Sequence, residues 1–151
     1  MTEKNIFSCG GVVIYRGKAL VLYQKNNRIS GWVLPKGKRE GKESHKDTAI
    51  REVREEAGVI AKVIKPLGKT HYSFNHGSST VNKTVYWFLM AGNSYNCKPQ
   101  LEEYFTDGGF YKEHEAYHLL RYQDEKEILS RAFEEYYRGL NSTRKGNDNF
   151  V

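Results

Sequence analysis

The segment running from Ser44 to Gly58 (SHKDTAIREVREEAG) constrains the fold more than any other part of the chain. Ser44 can cap a helix by accepting from a first-turn amide, and Asp47 follows three residues later, as in a capping box. Ala49, Ile50, Val53 and Ala57 recur at helical spacing and make one apolar stripe. Gly58 falls where a left-handed residue ends a helix at least cost. The spacing predicts a helix over 44–57, and a helix with one apolar stripe needs a second layer to bury it. The flanking sequence supplies that layer. Residues 8–15 and 19–23 read as a hairpin around Arg16-Gly17-Lys18, and Trp32-Val33-Leu34 as a short apolar stretch ending at Pro35. Residues 24–30 and 36–42 read as polar loops. Beyond the helix, 59–64, 69–75, 81–91 and 105–111 read as strands, and 113–120 as a short helix. Residues 124–138 read as an amphipathic helix with Ile128, Leu129, Ala132, Phe133 and Tyr136 on one face. The expectation is one α/β domain over residues 1–140, a mixed sheet with helices packed on it, followed by a polar C-terminal tail over 141–151.

Composition narrows the class. Seven Phe, 11 Tyr and 2 Trp in 151 residues argue against disorder. Two cysteines, Cys9 and Cys97, are too few for a disulfide scaffold or a cysteine-rich zinc module. No apolar run nears the ~20 residues that span a bilayer. The N-terminal stretch lacks the pattern of a signal peptide, so a cytoplasmic location with no membrane partner is expected. Lys and Arg number 24 against 18 Asp and Glu, a net charge of +6, which suits an anionic substrate or partner.

The polar side of the helix carries the chemistry. With ~100° per residue, Glu55 lies about −60° and Glu56 about +40° from Glu52, so three carboxylates share a face. Like charges at this spacing repel, and they stand near the helix C-terminus, where the dipole disfavours anions. A hard cation removes both objections, because Mg²⁺ prefers carboxylate oxygens. A solvated acidic face paired to Arg51, Arg54 and Lys62 is the alternative.

The wider spacing decides between them. Gly37, five residues, Glu43, seven residues, then Arg51-Glu52-Val53-Arg54-Glu55-Glu56-Ala57-Gly58-Val59 resembles the Nudix box without a departure. The WVLPKGK entry and the Gly10-Gly11 strand extend the likeness. The resemblance implies a Nudix-type α/β/α sandwich that hydrolyses a nucleoside diphosphate linked to another moiety, with Mg²⁺ or Mn²⁺ as cofactor. It implies that Gly37, through its carbonyl, and Glu52, Glu55 and Glu56 hold the metal. Glu52 is a further ligand or the base for the attacking water. Arg51 and Glu43 brace the loop and helix, Arg51 standing with Glu52 and Glu103 in the catalytic set and Glu43 and Gly58 as structural members of the motif. A carboxylate beyond the box often joins such sites, and Glu103, with Glu102 beside it, is the candidate.

Substrate class is read from the surroundings. Lys36, Lys38, Arg39 and Lys42 ring the presumed phosphate site, with Lys83 in a later strand. The WVLPKGK, HYSF and KTVYWFLM segments look like those of bacterial diadenosine polyphosphate hydrolases. That likeness implies phosphate binding by Lys36, Lys38 and Lys83 and nucleotide stacking on Tyr72, with His71 second. The expected partner is a small-molecule nucleotide polyphosphate such as diadenosine tetraphosphate, cleaved to ATP and AMP by a monomer or homodimer. The sequence also resembles oxidised-nucleotide (8-oxo-dGTP) and diphosphoinositol polyphosphate hydrolases. A non-catalytic nucleotide-binding domain is disfavoured by the intact box. Nucleic acid is disfavoured as a partner, because the aromatics are not interleaved with the basic loop.

Overall fold

The computed structural model describes residues 2–26 and 30–148, with the backbone alone described beyond 141. Seven strands form one sheet: β1 (Thr2–Tyr15), β2 (Lys18–Lys25), β3 (Ser30–Val33), β4 (Lys36–Lys38), β5 (Lys62–His76), β6 (Ser79–Ala91) and β7 (Phe105–Lys112). Among the described residues three α-helices accompany them, α1 (His45–Ala57), α2 (Glu113–Leu119) and α3 (Gln123–Asp148). The main path runs β3-β2-β1-β6-β5, with β4 paired to β1 and β7 to β2. β1 and β6 run parallel from Thr2↔Ser79 to Ile14↔Ala91, and the other pairings are antiparallel.

The two-residue alternation of the central strands divides the core into two layers. Val12 and Ile14 of β1, Ala19 and Val21 of β2, and Val85, Trp87 and Leu89 of β6 face Ala116 of α2 and Ile128, Leu129, Ala132 and Phe133 of α3. Cys9 and Val13, Leu20 and Leu22, and Phe88 and Met90 face Ala49, Val53 and Ala57 of α1. This is the α/β/α sandwich expected of the sequence, with the stripe of α1 buried as read. Ser44 caps α1, its Oγ accepting from the Asp47 amide at 3.1 Å, and Gly58 ends it with φ 67°.

Several segments differ from the sequence reading, β1 among them, which begins at Thr2 and not at Ser8. Residues 59–64 and 69–75 were expected as two strands, yet β5 is one strand that crosses Pro66-Leu67-Gly68 with irregular register at Val63/Lys65 and Pro66/Gly68. β5 lies at the end of the strand order, where a proline that donates no ladder hydrogen bond does least harm. The first three residues of the expected loop 36–42 are strand β4, held against Ser8, Cys9 and Gly10 of β1. The α3 backbone continues past 138 to Asp148, through most of the stretch expected as a tail, whose residues 149–151 lie outside those described. Of the expected loop 24–30, Gln24 and Lys25 belong to β2 and Ser30 to β3, and residues 27–29 lie outside the described residues.

Candidate active site

Arg51 is the hub of the site. Its Nε and Nη2 donate to the two oxygens of Glu43 at 2.7 and 3.0 Å, and Nη2 also donates to the Lys38 carbonyl at 2.8 Å. Its Nη1 donates to Glu52 Oε1 at 2.6 Å and to Glu55 Oε2 at 3.0 Å. One guanidinium thus ties the loop after β4 to the middle of α1, and the planar fork makes the Glu43 pairing bidentate. Glu43 also accepts from the Glu40 amide and the Thr48 hydroxyl. Led by its hydrogen bonds to Arg51, the Glu43 carboxyl is pulled down to about 2.

Gly37 is needed for space. A Cβ there would overlap the Glu52 carboxylate, which therefore lies directly against the β4 backbone. Glu56 is 4% exposed, and its Oε1 accepts from the Lys36 amide at 3.1 Å. Burial raises the Glu56 carboxyl well above the ordinary range, with Glu52 and Glu103 adding repulsion. Burial likewise raises Glu52, against the pull of Arg51, and Glu55 and Glu103 push it further up.

Glu103 reaches this group through a connection the sequence reading left blank. The Lys98 amide donates to the Ala57 carbonyl at 2.7 Å, and the Gln100 amide to the Glu56 carbonyl at 2.9 Å. These bonds satisfy carbonyls that the end of α1 leaves open, and they dock the 98–104 segment on the helix terminus. A 3₁₀ turn over Leu101–Glu103 follows. Desolvation and the charges of Glu55 and Glu102 raise the Glu103 carboxyl, against the pull of Arg51.

The donor set fits a hard divalent cation. The charges of Glu52, Glu55, Glu56 and Glu103 repel one another here, and burial disfavours the charged forms of Glu52, Glu56 and Glu103. Arg51 engages one oxygen each of Glu52 and Glu55, and the Lys36 amide one of Glu56, leaving the second oxygen of each without a hydrogen bond among the described residues. No three acidic, histidine or cysteine side chains stand in ligating geometry among the described residues. Arg51, by drawing Glu52 and Glu55 to itself, provides the countercharge in this arrangement.

A cleft of about 770 Å³ opens on the α3 side of the sheet. Lys36, Tyr72 and Lys83 line it, with Phe74, Trp87 and Tyr122, three aromatics that sequence reasoning did not single out as binding residues. Adjacent strands put them there, since Tyr72 pairs with Lys83 across β5 and β6. Lys83 is lowered by burial and then by the neighbouring charges of Lys36 and Lys38. Lys38 itself lines a second cleft, of about 660 Å³, on the α1 side with Arg39, His45 and Tyr86. The other unforeseen residue is Glu125 of α3, which is 3% exposed. Its Oε2 accepts from Lys36 Nζ at 2.7 Å and its Oε1 from the Leu34 amide at 2.7 Å.

Comparison with known proteins agrees with this architecture. The NUDIX domain family matches residues 8–135. The chain belongs to the Nudix family and is a Nudix hydrolase. A bis(5'-nucleosyl)-tetraphosphatase (asymmetrical) of Sus scrofa is 28% identical over 129 residues, covering 79% of this chain and 88% of that protein. A putative mutator protein MutT4 of Mycobacterium tuberculosis is 46% identical over 59 residues, 39% of this chain, and the match spans only 24% of that protein's length. A crystal structure described as a C. elegans Ap4A hydrolase binary complex superposes with a TM-score of 0.65 at 17% identity, covering 89% of this chain and 98% of that one, a likeness of fold. No helix among the described residues is long and apolar enough to cross a membrane.

Proposed function

We propose that the chain is a divalent-metal-dependent hydrolase of dinucleoside polyphosphates, cleaving diadenosine tetraphosphate to ATP and AMP. The observation that carries the reading is a cleft holding two lysines and four aromatic rings beside a group of four mutually repelling carboxylates. A substrate with a base at the end of a long anionic chain uses both features. The tetraphosphatase relative supports the same class.

Glu52, Glu55 and Glu56, with the Gly37 carbonyl, would hold Mg²⁺ or Mn²⁺. When bound, such a cation draws charge from phosphoryl oxygens and acidifies water. The rest falls to the chain's own groups. Glu52, raised by burial, suits a general base, and Glu103 is the second candidate. The base takes a proton from water as the water oxygen bonds to phosphorus. The bridging P–O bond breaks, its electrons leave with the departing nucleotide, and no covalent enzyme intermediate forms. Lys83 and Lys36 offset phosphate charge, and Tyr72 presents a ring to a base. Arg51 and Glu43 keep α1 and the loop after β4 in register.

The test is a comparison of kcat/KM over diadenosine polyphosphates, 8-oxo-dGTP, nucleotide sugars, ADP-ribose and diphosphoinositol compounds, with products separated by chromatography. Diadenosine tetraphosphate should be cleaved most efficiently, yielding ATP and AMP. Far higher efficiency on 8-oxo-dGTP or a diphosphoinositol compound would overturn the substrate assignment and leave the hydrolytic centre standing.

A further inference from the structure

Lys36 stands between two buried carboxylates. Its backbone amide donates to Glu56 Oε1 at 3.1 Å, while its ammonium donates to Glu125 Oε2 at 2.7 Å and lies 5.8 Å from the centre of the Trp87 ring. The Glu56 carboxylate also acts on the ammonium electrostatically. Glu125 and Glu56 therefore both act on one ammonium, which Glu125 holds. Its other oxygen holds the Leu34 amide, so one side chain fixes both the ammonium and the strand end that leads into β4. Glu125 stands 89 residues beyond Lys36 and is itself buried, which makes a passing surface contact an inadequate description.

We propose that Glu125 is a positioning residue: it anchors the Lys36 ammonium on the cleft side and keeps it out of the carboxylate group, which stays open for a divalent cation. An ammonium on a four-carbon stem is a compact point charge able to neutralise a carboxylate. Released from Glu125, Lys36 is left with Glu56 as the other carboxylate that acts on its ammonium, and occupation there would compete directly with metal. The same release would remove a fixed charge from the cleft that is proposed to take the polyphosphate. The inference rests on the functional reading above.

Mn²⁺ binding, followed by the electron paramagnetic resonance signal of the free ion, tests it without turnover. Glu125→Gln keeps an acceptor for the Leu34 amide and removes the charge that holds Lys36. It should weaken Mn²⁺ binding by about tenfold, the scale of losses when a residue supporting a metal site is changed. Adding Lys36→Met to that variant should restore Mn²⁺ affinity, because the competing ammonium is gone, while the KM for diadenosine tetraphosphate stays elevated. Should Glu125→Gln fail to fold, Glu125→Asp carries the same test, its shorter arm loosening the pair and Lys36→Met relieving the loss. Unchanged Mn²⁺ affinity in the folded single variant overturns the proposal. So does a double variant as weak as the single, since the loss would then be structural. A wild-type protein that binds no Mn²⁺ overturns the functional reading as well, whereas wild-type binding with an indifferent Glu125 overturns this inference alone.

Discussion

A carboxylate as buried as Glu56 destabilises the fold whenever it is charged and unpaired. Its carboxyl, with those of Glu52 and Glu103, is raised above the ordinary value of 4.5. From 4.5 up to the raised values the folded state binds more protons than the unfolded chain, so these groups take stability away as pH rises through that window. Glu56→Gln keeps the volume and an acceptor for Lys36 and loses the charge. In EDTA at pH 8 its melting temperature should exceed that of the wild type by a few degrees, since about 1 kcal/mol moves a domain of this size by roughly 2–4 °C. The gain should vanish near pH 4.5. Turnover should fall by about two orders of magnitude or more, because the charge of a proposed metal ligand is gone. A variant with normal turnover would remove Glu56 from the site. Gly37→Ala makes the complementary point about space. The added methyl meets the Glu52 carboxylate, so activity should drop by about tenfold or more with little change in fold, assayed by kcat and circular dichroism.

The elements differ in how far they could be read from the sequence, and locality explains the difference. The cap at Ser44, the stripe to Ala57 and the stop at Gly58 are local signals, and α1 has the bounds they predict. β6 and the buried face of α3 were legible through periodicity for the same reason. β5 was misread as two strands because Pro66 and Gly68 signal a break, and only the place of β5 at the end of the sheet makes them tolerable. β4 was hidden because its three residues have no pattern of their own and exist through pairing with β1. The site divides the same way. The box residues lie within 23 positions and carry their own geometry, whereas Glu125 and the docked 98–104 segment act on residues distant in sequence. That α3 is integral can be checked at Leu129, which is fully buried against the sheet. Leu129→Ala should cost about 2–5 kcal/mol in urea unfolding, and a loss below half a kcal/mol would show that this helix is not part of the cooperative core.

The whole molecule is a basic protein with a concentrated acidic site. A cation that binds the folded state alone raises its stability by mass action. Millimolar Mg²⁺ should raise the melting temperature more at pH 8 than at pH 5, because protons compete with the cation for carboxylates whose proton affinity is raised. Glu43 responds in the opposite sense: held down at about 2, it stabilises the fold above 4.5 and loses that effect as pH falls toward 2. Acid unfolding in EDTA therefore separates the brace from the cation site. The central claim is that the Glu52, Glu55 and Glu56 face on Gly37 is a hydrolytic centre for a nucleotide polyphosphate. Its most direct test is turnover of diadenosine tetraphosphate in ¹⁸O-water, comparing wild type with Mg²⁺, wild type in EDTA, and Glu56→Gln. The wild type with Mg²⁺ should release ATP and AMP with ¹⁸O in a phosphoryl group of one product, and both controls should be silent. Undiminished turnover in EDTA or in Glu56→Gln would contradict it.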